Sequence, residues 1–202
     1  MVNMLWASSL FAAEPPPSFE LILQQQIIAE VQRLARQENL EEALAHGDRF
    51  RAEVLDGVEL QYELALMVNR SGALEDAVKR YSQLLKQDPT HIASLYDRGE
   101  IQLILGEYDA AELDLRQLEK LKPDVWVVHF RLAELAGHQK KPDVFEQQIL
   151  EALRDGFSLS LLAESGKHWH NWANDPSLGL VLKQIFLLYG SETQWSELQH
   201  SY

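Results

Sequence analysis

The chain has 202 residues, of which 46% are hydrophobic and 24% are charged, a composition that excludes a disordered or collagen-like chain. Eighteen Lys and Arg against 31 Asp and Glu give a formal net charge of −13, which is the wrong sign for a protein that neutralises the phosphates of a nucleic acid. The absence of cysteine excludes disulfides, thiolate metal sites and cysteine nucleophiles.

The N-terminal segment differs in character from the rest of the chain. Residues 1–13 are uncharged and mostly apolar, and they are followed by Glu14 and a run of three prolines at 15–17. A short apolar run with a Pro-rich exit is similar to the latter part of a secretory signal peptide, although a cationic start is missing. We therefore expect residues 1–20 to be a leader and its exit, which favours export to the periplasm over a cytoplasmic location. The alternative is an apolar N-terminal helix that packs on the body.

The apolar stretches elsewhere are short. None of them reaches the 18 to 20 uninterrupted apolar residues, roughly, that a spanning helix needs. We therefore expect no membrane-spanning segment in the mature body.

The sequence repeats itself with an offset of 34 residues. This offset superposes a set of small, aromatic and helix-breaking positions, namely Ala43, Ala77 and Ala111, Gly72 and Gly106, Pro89 and Pro123, and Tyr62, Tyr96 and Phe130. A match in one such column occurs by chance, but several columns at one offset indicate a repeat architecture.

Each repeat is predicted to be a pair of helices. Apolar residues recur every three to four positions in residues 58–70 and again in 74–86, which is typical of amphipathic helices. Gly72 is suited to the left-handed conformation that ends a helix, and Pro89 disfavours helix in the residue before it. The same pattern predicts helices at 92–105 and 108–121.

Units of 34 residues with Gly after the first helix, a small residue in the second and Pro between units resemble the tetratricopeptide repeat family. The unit at 58–91 matches through Gly72, Ala77, Tyr81 and Pro89, and the unit at 92–125 through Gly106, Ala111 and Pro123. The flanking units are degraded: Phe145 takes the place of the small residue and Lys140 that of the turn glycine. The resemblance implies an all-α, right-handed α-solenoid of helical hairpins, of bacterial type, with about four units in residues 21–156.

Residues 157–202 no longer follow the period and are expected to form C-terminal capping helices. Residues 157–163 continue the helical pattern, and Asp175 with Pro176 is predicted to begin an apolar helix that ends at Gly190. The segment loosely resembles the terminal segments of some bacterial tetratricopeptide arrays. Terminal repeats commonly differ because they cover the exposed end of the stack.

Residues that could perform chemistry are few. His168 and His170 could ligate a metal on an extended segment, with Glu164 or Asp175 as a third ligand, whereas on a helix they diverge. The alternative is that the neighbouring Trp169 and Trp172 pack on the repeats while the histidines are solvated or hydrogen-bonded. Glu41, Glu42 and Asp114 are expected on solvated helix faces. With no catalytic or phosphate-binding motif, we expect neither an enzyme nor a cofactor.

The column Tyr62, Tyr96 and Phe130 is the most informative for function. In tetratricopeptide arrays the first helix of each unit lines the concave groove, so the resemblance places these aromatics there, together with Leu66, Glu100 and Glu134 one turn later. This set could bind a peptide or an amphipathic helix with basic and apolar residues. Alternatively, the aromatics fill the space between adjacent helices.

The sequence therefore predicts a non-enzymatic protein-interaction scaffold that binds a protein or peptide partner, and no nucleic acid. A first alternative is a structural subunit of a cell-envelope or secretion assembly that makes contact through its convex face or the C-terminal Trp cluster. A second is a metal-dependent enzyme that uses His168 and His170. The oligomeric state is left open.

Overall fold

The computed structural model describes residues 18–37, 39–53 and 57–200. The described residues contain helices and no strand, as the sequence predicts. The α-helices are α1 (Phe19–Arg36), α2 (Leu40–Glu53), α3 (Val58–Arg70), α4 (Leu74–Gln87), α5 (Ile92–Leu105), α6 (Tyr108–Leu121), α7 (Trp126–His138), α8 (Pro142–Arg154), α9 (Lys167–Ala173), α10 (Leu178–Tyr189) and α11 (Glu192–His200), with a 3-10 helix at Leu159–Glu164. Of the predicted leader and its exit, residues 1–17 lie outside the described residues, and residues 18–20 cap and begin α1.

The chain divides into two compact units, Met1–Met67 and Val68–Tyr202. In the first unit, α1 packs against α2, and its apolar residues meet those of α3 in one core that includes Ile27, Val31, Ala43 and Leu64. Ser18 is the N-cap residue of α1: its hydroxyl accepts a hydrogen bond from the amide of Leu21.

In the second unit, α4, α5, α6, α7 and α8 pack in sequential order. Gly106 closes α5 with φ 77°, and Gly72 follows α3 with φ 83°, so the left-handed turns predicted at both glycines are confirmed. Lys140 has the corresponding conformation after α7, with φ 52°. There a side chain with a Cβ occupies a backbone conformation that glycine adopts at lower cost.

Arg98 connects three consecutive helices of the second unit. Its guanidinium donates two hydrogen bonds of 2.6 Å to the carboxylate of Asp114 on α6 and one of 2.9 Å to Ser82 on α4. Asp114 is buried, so the expectation of a solvated helix face is wrong for this residue. A bidentate ion pair satisfies a carboxylate that would otherwise be costly to bury. Glu41 and Glu42 are exposed, as expected.

Residues 157–200 pack within the second unit. Trp169, Trp172, Leu182 and Phe186 of this segment share one core with Phe145 of α8. The predicted start at Pro176 is two residues early: Asp175 accepts hydrogen bonds from the amides of Ser177 and Leu178, and the helix begins at Leu178. Pro176 lies in the turn between Asp175 and the start of the helix.

Within the described part of the chain, none of the helices combines the length and the apolar character that crossing a membrane requires.

Candidate protein-interaction surface

The C-terminal segment covers the predicted groove residues of α7. Phe130 is buried, with its ring stacked on that of Trp169 at a centroid distance of 5.2 Å and against Phe157 at 5.0 Å. Glu134, one turn later, is buried as well. The expectation that these two residues face an open groove is therefore corrected: α9 occupies their face of α7, and a partner cannot reach them.

The carboxylate of Glu134 is held by three donors. Oε1 lies 2.9 Å from Nε2 of His168 and accepts a hydrogen bond of 3.1 Å from the indole Nε1 of Trp169, while Oε2 accepts one of 2.7 Å from Arg131. Burial by itself would raise the pKa of Glu134, but the hydrogen bond from His168 and the charge of Arg131 outweigh it and lower the pKa. Glu134 is therefore ionised at neutral pH.

Tyr96 and Glu100 lie one turn apart on α5, half-buried. Arg131 of α7 reaches across to both: its Nε donates to the Tyr96 hydroxyl at 3.2 Å, its guanidinium lies 5.7 Å from the tyrosine ring, and it forms an ion pair with Glu100. Burial opposes the charge of Arg131, yet the carboxylate of Glu134 and the neighbouring Tyr96 raise its pKa. The structure thus brings together Tyr96, Glu100 and Glu134 around one guanidinium.

The repeat columns of the sequence identified Phe130 but not Arg131, the residue that follows it. The available signal was charge: Arg131 is the only Lys or Arg in α7. Glu100 on α5 and Glu134 on α7 each lie on the first helix of a repeat. A single cation between these two carboxylates can form an ion pair with both.

A cleft of about 280 Å³ opens beside this group. It is lined by Glu100, Leu103, Ile104, Tyr108, Arg131, Glu134, His138, Ser165 and His168. Ile104 is 66% exposed and lies one turn beyond Glu100, so it continues the α5 face that the sequence pointed to. The cleft combines an exposed aliphatic side chain with polar groups, the mixture found in peptide-binding surfaces.

His138 forms one wall of the cleft. Its ring stacks on Tyr108 at 5.2 Å and meets the edge of Trp172 at 5.0 Å. Burial, followed by the charge of the nearby His168, lowers the pKa of His138. His138 is therefore neutral at pH 7.

The other predicted groove residues, Tyr62 and Leu66, belong to the first unit. They lie one turn apart on α3 and are half-buried. Their role in binding stays a prediction.

The histidines proposed for metal binding have separate partners. His168 pairs with Glu134, while Nδ1 of His170 lies 3.2 Å from the carbonyl oxygen of Leu198. Across the described residues, no group of three or more His, Asp or Glu side chains is arranged to hold a metal ion. Trp169 and Trp172 are buried, as the packing interpretation expects, so the suggestion that this Trp cluster contacts a partner is wrong.

Comparisons with known proteins agree with this architecture. The family profile described as Tetratricopeptide repeat matches residues 28–92 and 70–125. A search of curated protein sequences gives no significant match.

Three solved structures illustrate the similarity of fold. The MamA RS-1 ArsTM double mutant has 18% identity and a TM-score of 0.67, over 91% of this chain and 97% of that one. A tetratricopeptide repeat protein from Parabacteroides merdae has 19% identity and a TM-score of 0.63, over 86% and 68%. YrrB, a tetratricopeptide protein with an unusual peptide-binding site, has 12% identity and a TM-score of 0.64, over 89% and 96%.

The matched profile, the turn glycines after α3 and α5 and the fold of these structures agree with one another. Over residues 28–125, the chain therefore belongs to the tetratricopeptide repeat family.

Proposed function

We propose that the chain is a non-enzymatic scaffold that binds a peptide or helix segment along the first-helix face, with the cleft beside Glu100 and Ile104 as its centre. Tetratricopeptide repeat proteins are in general protein-interaction scaffolds, which supports the class of function. YrrB, of similar fold, has a peptide-binding site, which supports the kind of ligand.

The observation that carries the proposal is the open cleft itself. The cleft lies along the face of α5 that carries Glu100 and Ile104, whereas α9 covers the equivalent face of α7. An exposed Ile104 beside a partly exposed Glu100 offers one apolar contact and one carboxylate within a single helical turn. A bound side chain would remove Ile104 from water and gain the corresponding apolar stabilisation.

Charge favours a partner with basic residues. The carboxylate that the cleft exposes is that of Glu100, since Glu134 is buried and paired with Arg131, while His138 is neutral. The chain as a whole carries −13. Both the cleft and the chain as a whole would therefore attract a segment with Lys or Arg among apolar residues. Its association should be faster at low salt.

The test begins with a random peptide library selected on the immobilised protein. We expect the enriched sequences to combine Lys or Arg with apolar residues. A selected peptide is then titrated by calorimetry against wild type and Ile104→Ser. We expect Ile104→Ser to weaken binding about five- to fiftyfold, the range of an interface residue worth 1 kcal/mol or more.

Two matched controls separate the cleft from general effects. Leu113 on α6 is 74% exposed and lies outside the cleft lining, so Leu113→Ser should leave affinity unchanged. Glu100→Gln should weaken binding of the basic peptide and reduce its salt dependence, whereas Glu75→Gln, at an exposed position of α4, should not. Peptides that bind folded Ile104→Ser and Glu100→Gln as tightly as wild type would refute the cleft as the binding surface.

A further inference from the structure

Two histidines line the cleft beside Glu100 and Ile104. His138 ends α7 and His168 lies in the first turn of α9, and their ring centroids are 5.6 Å apart. The side chain of His168 is 32% exposed, so water reaches this pair of rings from the cleft. Histidine is the side chain whose charge ordinarily changes between pH 5 and 8. One wall of the cleft therefore gains positive charge as the pH falls.

The groups around the two rings come from α5, α6, α7 and α9. The other charged and titratable residues of the cleft lining are Glu100, Tyr108, Arg131 and Glu134. Burial and the charge of His168 lower the pKa of His138, and the carboxylate of Glu134 opposes them. The cleft therefore reaches its most positive state below about pH 6.5, the ordinary pKa of histidine.

The charge of the lining reverses when both histidines are protonated. With both neutral, Glu134 and Arg131 cancel one another, and Glu100 leaves the lining with a net negative charge. Two imidazolium groups outweigh that carboxylate. Glu134 does not compensate, because its lowered pKa keeps it ionised, and protonation of Glu100 would add to the change in the same direction.

We propose that this reversal makes the cleft a pH-dependent site, which binds a basic segment at neutral pH and releases it in acid when His138 and His168 are both charged. This inference rests on the proposed function, since it requires the cleft to be the binding surface. Lys or Arg of the partner is attracted by Glu100 at neutral pH, whereas in acid it faces two like charges at short range. The apolar contact with Ile104 carries no charge and does not change with pH.

Calorimetric titration at about pH 7.5 and about pH 5 tests the proposal. The probe is the peptide selected on the immobilised protein, made with blocked termini and without His, Asp or Glu, so that it does not itself titrate in this range. We expect its dissociation constant to rise about three- to thirtyfold in acid, as two added charges at a partly hydrated site would cause. The same peptide with Gln in place of Lys and Arg should show no such rise. Circular dichroism at both pH values checks that the protein remains folded.

Substitutions of the two histidines should remove the pH dependence. His138→Phe retains the stacked ring and His168→Gln retains a donor for Glu134, but neither new side chain is protonated. Each single variant should show a smaller pH effect than wild type, and the double variant none. His200→Asn removes an exposed imidazole of α11 outside the cleft lining and should leave the effect unchanged. In the wild-type protein, the bound peptide should shift the NMR titration midpoint of His138 downwards, because binding and proton uptake are linked.

Charged nitroxides separate this proposal from the proposed function. A cationic and an anionic nitroxide on the same ring compare the local potential at the Ile104 methyl groups through their effect on NMR relaxation. We expect the cationic probe to dominate at neutral pH and the anionic probe in acid. A probe preference that does not reverse, or a peptide whose affinity depends on Ile104 but not on pH, would overturn the proposal and leave the proposed function standing. A peptide that binds Ile104→Ser as tightly as wild type at neutral pH would refute the proposed function and with it the release of a peptide, while the nitroxides still measure the reversal of charge.

Discussion

The indole nitrogen of Trp169 donates a hydrogen bond to the buried carboxylate of Glu134, 35 residues earlier in the chain. This bond joins α9 to α7 at the end of the repeats. It also completes the set of donors around Glu134, with Arg131 and His168 as the other two. A buried carboxylate is tolerated only where such donors compensate for its lost hydration.

Removing either partner of this bond should destabilise the protein. We expect Glu134→Gln to lower the free energy of unfolding by about 1 to 3 kcal/mol, since it leaves buried donors poorly matched. Trp169→Phe should also be destabilising, through the lost N–H and the smaller ring. Urea unfolding followed by circular dichroism, with the double variant included, gives the coupling between the two residues. A coupling indistinguishable from zero would show that the hydrogen bond contributes nothing.

His138 should make stability depend on pH. Because burial and the charge of His168 hold the pKa of His138 below its ordinary value of 6.5, the unfolded chain takes up this proton first as the pH falls. The contribution of His138 to stability is therefore complete above about pH 6.5, the pKa of an unperturbed histidine, and decreases as the pH falls towards the folded-state pKa. Titration of the His138 ring protons by NMR measures the folded-state pKa directly. A midpoint at or above 6.5 would contradict this prediction.

The left-handed turn at Lys140 offers a stabilising substitution. Lys140→Gly should raise the free energy of unfolding by about 0.5 to 1 kcal/mol, because glycine adopts a positive φ without a Cβ clash. Lys140→Ala is the matched control, since it removes the same charge but keeps the Cβ. Thermal or urea unfolding compares the three proteins. Equal effects of Gly and Ala would attribute the change to the lysine side chain instead of the backbone.

The repeat period was sufficient to predict the fold class and several turns. Gly72 and Gly106 could be placed in left-handed turns from their identity and position, because few other residues take that conformation cheaply. Ala77 and Ala111, the small residues of the second helices, are buried as expected. These features are local, so a single sequence contains most of the information they need.

The site was harder to predict because it depends on contacts between distant residues. Tyr96 and Phe130 occupy equivalent positions of the 34-residue repeat, but α9 covers only Phe130. The repeat pattern contains no information about where α9 packs. Asp114 could not be assigned to a buried ion pair without knowing that Arg98, 16 residues away, lies against it. Ile104 and His138 line the same cleft because α5 packs against α7.

The packing of α9 on α7 also limits the positions at which further repeats can be inserted into the chain. A further hairpin added after α8 would need the face of α7 that Trp169 already fills, so it would have to displace the cap. A 34-residue duplication placed between Pro89 and Ile92, or between Pro123 and Trp126, would instead leave the Glu134 and Trp169 contact intact. Lengthening of this protein, whether by gene duplication or by design, is therefore directed to the boundaries between internal repeats, where each new unit meets neighbours of its own kind.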